Sequence, residues 1–183
     1  MADFTRSDEA LMEEVRSGNL AAFQALYDRH HRSVFGFLLR SLGERPAAED
    51  LLQETFLRVF AHREEYRPTA AFKAWLFTIA RNLLIDHLRQ WSRSPDLESL
   101  ENLEPLLDAA ATPLQQAEAR ELGERLQAAV LRLPPSQREV LLLSRFVGLS
   151  DAEIADITGG SPGTVRVTLH RALRRVRTLL GAL

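Results

Sequence analysis

The residues best suited to chemistry in this chain are arginines. Between Ser161 and Arg177 stand Arg166, Arg171, Arg174, Arg175 and Arg177, with no acidic residue among them. Val165, Leu169, Ala172, Val176 and Leu180 recur at helical spacing, which predicts a helix with one buried stripe and the arginines outside it. Guanidinium groups suit phosphate oxygens and purine edges in the major groove, and hydroxyl side chains suit phosphates. Ser161 and Thr164 stand at the N-terminal end of the segment, followed by Arg166, Val167, His170, Arg171 and Arg174. Arg166 and His170 are four apart and project from a common side. Charge alone favours the solvated face of an ordinary surface helix. What precedes it favours DNA. Ser150 and Glu153 make a capping box that opens a short helix, and Gly159-Gly160 permits a left-handed turn. Ser161-Pro162 then restarts a helix with serine as cap and proline first. Ala155 before the turn and Val165 after it fit a helix-turn-helix, with a small residue where the helices cross and an apolar one beneath the second.

A second group is acidic. Asp50, Gln53 and Glu54 lie three to four apart, on one side of a predicted helix and opposite Leu52, Phe56 and Val59. Taken alone this is the wet face of an amphipathic helix. Leu57, if exposed, would add an apolar anchor. Phe72, Trp75 and Phe77 invite base stacking. Trp75, however, falls on the stripe Phe72, Trp75, Leu76, Ile79, Leu83 and Leu84 and reads as core. His30, His31, His62, His87 and His170 show no metal-ligand spacing with carboxylates, and the adjacent His30 and His31 point to different faces. The absence of cysteine excludes a disulfide framework, a thiol nucleophile and a cysteine-based zinc finger. No cofactor or metal is expected.

The elements that must position these groups are helices. Leucine is abundant, Val and Ile are few, and no segment alternates apolar and polar residues as a strand does. The expected fold is all-α, in two small helical domains joined by an acidic linker. A first helix runs from near Ser7 to Gly18. Asn19 caps a long second helix carrying Phe23, Leu26, Tyr27, Val34, Phe37, Leu38 and Leu42, ended by Gly43. Pro46 opens a third helix that runs to about Phe60. A polar loop, 62–68, precedes a fourth helix capped by Thr69. From 92 to 119 there are six acidic residues and one basic, punctuated by Pro95, Pro105 and Pro113. Thr112-Pro113-Leu114-Gln115 reopens helical structure. The expected domains are therefore 1–91 and 113–183, with 92–112 as linker.

Length and charge narrow the function further. The chain has 183 residues, enough for one domain or two small ones. Its 23 Lys+Arg against 25 Asp+Glu give a net charge of −2, which weighs against holding DNA by bulk charge alone. Contact with nucleic acid must rest on a local patch or a partner's help. The longest apolar runs, such as Val140 to Leu143, are far below the roughly 20 residues that span a bilayer. No membrane insertion is expected, and the N-terminus lacks a signal pattern. The expected location is the cytoplasm.

Two blocks of sequence resemble the extracytoplasmic-function (ECF) group of bacterial RNA polymerase sigma factors. One comprises Leu133-Pro134-Pro135, Gln137-Arg138-Glu139-Val140, Asp151-Ala152-Glu153-Ile154-Ala155, Gly163-Thr164-Val165-Arg166 and His170-Arg171-Ala172. It resembles the family's region 4, which binds the −35 promoter element. The other comprises Ala48-Glu49-Asp50-Leu51-Leu52-Gln53-Glu54-Thr55-Phe56, Ala74-Trp75-Leu76, Ile79-Ala80-Arg81-Asn82 and Asp86-His87-Leu88-Arg89. It resembles region 2, which docks on the polymerase core and opens the −10 element. The resemblance implies a dissociable specificity subunit with no catalysis of its own. Its implied partners are promoter DNA, core polymerase (through the largest subunit's clamp helices and through the flap) and an anti-sigma factor. It implies core contacts at Asp50, Gln53, Glu54 and Leu57. It implies −10 contacts at Tyr66, Arg67, Lys73, Arg81, Asn82 and Arg89, with Tyr66 stacking on a base. The −35 contacts it implies are Ser161, Thr164, Arg166, Val167, His170, Arg171 and Arg174. The recognition segment Arg166-Val167-Thr168 departs from the family's frequent serine and second basic residue. Gln90-Trp91-Ser92 likewise stands where the family often continues basic.

Two other functions compete. An autonomous DNA-binding regulator would use the helix-turn-helix alone and need dimer symmetry, leaving 1–91 as a sensor or dimerisation module. A metal-dependent phosphoesterase would use Glu49, Asp50, Glu54 and nearby histidines, but the sequence carries no pocket signature for it.

Overall fold

The computed structural model describes residues 6–68, 71–91 and 113–181, with side chains from Arg120 onward in the last stretch. Among these residues every regular element is helical. The chain divides into two compact units, Met1–Leu38 with Pro46–Leu97, and Leu39–Arg45 with Glu98–Leu183. The short segment Leu39–Arg45 groups with the C-terminal unit. The expected Thr69 cap, the 92–112 linker and the Thr112 cap lie outside the described residues.

In the first unit, helix α1 (Asp8–Arg16) starts at Ser7, whose hydroxyl accepts the Ala10 N–H at 3.2 Å. Helix α2 (Leu20–Leu42) starts at Asn19, whose Oδ1 accepts from Ala21 and Ala22. It stops at Gly43, which takes a φ of 84° that a side chain would disfavour. Helix α3 (Arg45–Ala61) carries Pro46 in its first turn, where a missing N–H costs nothing. Helix α4 (Phe72–Trp91) follows the polar loop. The core of this unit collects Leu11, Met12, Leu26, Phe37, Phe56, Val59, Phe72, Leu76 and Phe77, each at most 3% exposed. Edge-to-face aromatic pairs lock it, with Tyr27 on Phe56 at 4.8 Å and Phe37 on Phe77 at 5.6 Å.

One device here was invisible in the sequence. Glu9 Oε1 in α1 accepts the Phe72 N–H, 3.1 Å away and 63 residues later. The first turn of α4 is thus capped by a carboxylate from the other end of the unit, where negative charge also meets the positive helix end. Beside it Asp8 bridges Arg29 at 2.8 Å and the buried His30 at 2.6 Å. Burial by itself raises the Asp8 pKa, but hydrogen bonds and charge from His30 and Arg29 outweigh it and hold the carboxyl below its ordinary value.

In the second unit, helix α5 (Pro113–Leu131) leads to helix α6 (Pro135–Leu141), which widens into a π-helical turn at Leu142–Val147 closed by Gly148 at φ 79°. Arg138 is held by backbone carbonyls. Its Nη2 donates to the carbonyls of Leu131, the last residue of α5, and of Leu133 just beyond it, and its burial lowers its pKa. Helices α7 (Asp151–Thr158) and α8 (Pro162–Gly181) complete the unit.

Candidate nucleic-acid interface and docking face

The helix-turn-helix forms as the local rules require. Ser150 Oγ accepts the Glu153 N–H at 3.3 Å, and Glu153 Oε2 accepts the Ser150 N–H at 2.8 Å, which closes the capping box. Helix α7 then buries Ile154, Ala155 and Ile157. Gly159 ends it at φ 71°, and the Gly160 N–H donates to the Ala155 carbonyl at 2.9 Å. Ser161 caps α8 by accepting the Thr164 N–H at 3.2 Å, while the two hydroxyls lie 2.9 Å apart. Val165, Leu169, Ala172 and Val176 are buried, so the opposite side of α8 is fixed towards solvent.

That outward side holds Gly163, Val167, His170, Arg171 and Arg174, all exposed. None of Arg171, Arg174, Arg175 and Arg177 is held in an ion pair among the described residues. Arg166 differs. Its Nε lies 3.6 Å from Asp151 Oδ2 and 3.4 Å from the Pro162 carbonyl, which ties it back across the turn to α7. Ser161 and Thr164 are likewise engaged in capping. The face can therefore offer free guanidinium groups from its second turn onward, with the helix N-terminus and its dipole ahead of them.

On α3 the inward residues are Ala48, Leu51, Leu52, Thr55, Phe56 and Val59. Asp50, Gln53 and Leu57 share the exposed side, and Leu57 is 65% exposed. Isolated exposed leucines are common, but this one continues a row with Asp50 and Gln53. Glu54 is half-buried and pairs with Arg58 one turn on, at 2.8 Å. Glu54 and Arg58 also border a shallow groove of about 410 Å³ lined by Leu51, Leu83, Asp86, His87, Arg89 and Gln90.

The −10 candidates do not all meet. Asn82 and Arg89 are seven residues apart on the outward face of α4 and both are exposed, with Arg89 3.8 Å from Asp86. Lys73 and Arg81 sit half-buried on its flanks. Arg67 is exposed, its guanidinium donating to the Glu64 carbonyl at 3.0 Å. Tyr66 corrects the expectation. It is 1% exposed, with its ring 5.2 Å from Trp75 and 6.0 Å from Phe72. Burial first, and then the charges of Glu9 and Asp8, push its hydroxyl up to about 12. A ring packed in this way cannot stack on a base. Tyr66 anchors the 62–68 loop to the start of α4. Trp75, expected in the core, is half-buried against the Tyr66 and Phe72 rings, and Phe77 is fully buried.

Among the described residues no cluster of His, Asp and Glu could hold a metal ion, and no helix is long and apolar enough to cross a membrane.

Residues 26–94 match the family model for sigma-70 region 2, and residues 123–176 that for sigma-70 region 4. The chain is 39% identical over 172 residues to the RNA polymerase sigma factor CarQ of Myxococcus xanthus, covering 94% of this chain and 97% of that protein. It is 36% identical over 165 residues to the ECF RNA polymerase sigma factor SigL of Mycobacterium tuberculosis, covering 87% and 89%. Among solved structures it resembles the sigma factor RpoE in complex with the anti-sigma factor NepR from Bartonella quintana. That match has a TM-score of 0.73 at 25% identity, covering 87% of this chain and 96% of that one. It also resembles CnrH in complex with the cytosolic domain of CnrY, with a TM-score of 0.71 at 27% identity, covering 97% and 99%.

Proposed function

Because the chain belongs to the ECF group of RNA polymerase sigma factors, we propose that its separate faces divide the work of promoter recognition. The protein is an initiation specificity subunit that directs RNA polymerase to promoters, and it is not itself a catalyst. In the division of labour proposed here, 1–91 is the core-binding and −10 domain, 92–112 the linker and 113–183 the −35 domain. Asp50, Gln53, Glu54 and Leu57 dock on the clamp helices of the core enzyme. The clamp is met by a polar row with one apolar anchor, so charge sets register and Leu57 adds burial. Arg67, Lys73, Arg81, Asn82 and Arg89 hold the −10 strand, without Tyr66. On the −35 side Ser161, Thr164, Arg166, Val167, His170, Arg171 and Arg174 face the duplex. The working location is the cytoplasm, and an anti-sigma factor is the regulatory partner.

The observation that carries this reading is the α8 face, acid-free and opposite its own buried stripe, directly after a capped turn. It also answers the charge problem. A chain of net charge −2 binds DNA through local basic groups, most concentrated on α8, with the polymerase supplying the remaining affinity. The test is run-off transcription from a genomic fragment library with core polymerase, with and without the protein. Start sites that appear only on addition, sharing two spaced upstream elements, are the expected result. Duplex DNA bound without any binding to core would overturn the reading in favour of an autonomous regulator.

A further inference from the structure

Val167 stands in the middle of the DNA-facing side of α8, where every neighbouring side chain is polar or absent. At about 100° per residue it lies about 200° from Val165 and about 160° from Leu169, opposite the buried stripe. It is 50% exposed. Leu173, the other large exposed hydrophobic residue of α8, follows directly on the buried Ala172 and so sits on the flank. The row through Val167 runs Gly163, Val167, His170 and Arg171, then Arg174. Packing does not account for a valine there, since the core is closed by Val165, Leu169, Ala172 and Val176. Helix propensity does not account for it either, because valine is a poorer helix former than alanine, lysine or arginine. What valine offers is a stiff pair of methyl groups, held in one dominant rotamer on a helix. One turn earlier Gly163 leaves open space, where an added Cβ would meet nothing nearer than Ser161 Oγ at 3.8 Å. The backbone can therefore come close to whatever faces Val167.

The major groove presents one apolar group, the 5-methyl of thymine. Resting on the assignment of α8 to the −35 duplex, we propose that Val167 is a specificity-determining residue that reads a thymine methyl in the −35 element. Arg171 and Arg174 lie on either side of the same row further along the helix and set the register by contacting phosphates or a purine edge. Arg166, held back by Asp151, is not the residue that discriminates at this position. The free energy comes from removing two small apolar surfaces from water, so the contact is indifferent to salt while those of the arginines are not.

The test replaces each thymine of the −35 element by deoxyuridine, one at a time, which deletes a methyl group and nothing else. Binding of each duplex by the holoenzyme is measured with the wild-type chain and with Val167→Ala. One position is expected to lose about fourfold in affinity with the wild type, the roughly 0.8 kcal/mol of one buried methyl-sized group at about 1.4 kcal/mol per decade. With Val167→Ala the thymine and uracil forms of that position bind equally. Val167→Ala itself keeps the wild-type circular dichroism and melts no lower than the wild type, since the side chain lies outside the packed core and alanine is the better helix former. A thymine penalty that persists unchanged in Val167→Ala, or no penalty at any position, overturns the methyl reading. Arg171→Ala separates this from a failure of the larger assignment. If it still weakens −35-dependent binding, only Val167 has been misread. If neither variant alters promoter binding, the −35 assignment of α8 falls with it.

Discussion

Truncating Leu57 tests the docking face most directly, because the structure separates its effect on binding from any effect on folding. Leu57 is 65% exposed on α3, whereas Leu52 on the same helix is 9% exposed. Fully burying a leucine side chain is worth about 1.5–3 kcal/mol, so covering the exposed share of Leu57 contributes about 1–2 kcal/mol to docking. Leu57→Ala is therefore expected to weaken core binding about five- to thirtyfold while changing stability by no more than about 0.5 kcal/mol. Leu52→Ala gives the opposite result. It opens a cavity and costs about 2–5 kcal/mol of fold stability. The assay is a titration of fluorescently labelled protein with core polymerase, run beside thermal melts of the same preparations. Asp50→Arg in the same titration reverses a charge on the row and weakens binding most at low ionic strength. Wild-type affinity for Leu57→Ala, at an unchanged melting temperature, would show that the outward face of α3 is not where the polymerase sits.

Three further outcomes follow from the packing. Gly159→Ala is expected to cost about 1–2 kcal/mol from backbone strain alone, since φ is +71° and nothing lies within 4 Å of an added Cβ. Gly160→Ala, whose Cβ would rest 3.6 Å from Thr158 Oγ1, is close to neutral, and equal melting temperatures for the two would refute the turn geometry. In a Tyr27→Phe background, absorbance at alkaline pH reads Tyr66 alone and finds its proton retained to about 12. The unfolded chain releases that proton near 10, so the raised value makes stability fall as pH rises above 10. Adding Glu9→Gln lowers the Tyr66 value and weakens the α4 cap, and a Tyr66 titration blind to Glu9 would refute their proximity. For Asp8 the sign is reversed. Its depressed value contributes stability that is present above the unfolded carboxyl value of about 3.9 and is lost as pH falls below it. Wild type is therefore more stable than Asp8→Asn at neutral pH, and chemical denaturation shows the gap narrowing in acid. A constant gap would mean that the Arg29 and His30 contacts do not depend on the charge.

What could be read in advance was what obeys short-range rules. Ser7, Asn19, Ser150 and Ser161 announce helix starts because each caps an N–H two or three residues away. Gly43 and Gly159 announce ends because only glycine takes their backbone angles freely. The α8 face was legible because its stripe and its arginines share one helical period. What escaped was set by distance or by ambivalent chemistry. No local pattern says that Glu9 will cap a helix 63 residues away. Tyr66 sits in a polar loop with a ring equally fit for bases or for a core, and only the positions of Phe72 and Trp75 decide between them. Arg138 belongs to a block that resembles a DNA-binding region, yet it serves carbonyls at and just beyond the end of α5. The wide turn at Leu142–Val147 left no mark, since its leucines suit any buried helix.

The Glu9–Phe72 cap also carries a timetable. Asp8 can find Arg29 and His30 soon after they are made, about 20 residues later, but Glu9 must wait for a partner 63 residues downstream. At synthesis rates of about 5–20 residues per second that interval is about 3–13 s, before any delay in the ribosomal tunnel. In the part of it that follows synthesis of His30, α1 can be tethered to α2 while its apolar face, Leu11, Met12 and Val15, still lacks the α4 side of its cover. The first unit therefore closes late and from both ends. A nascent chain halted before Phe72 presents that uncovered face to chaperones, and one halted beyond α4 does not.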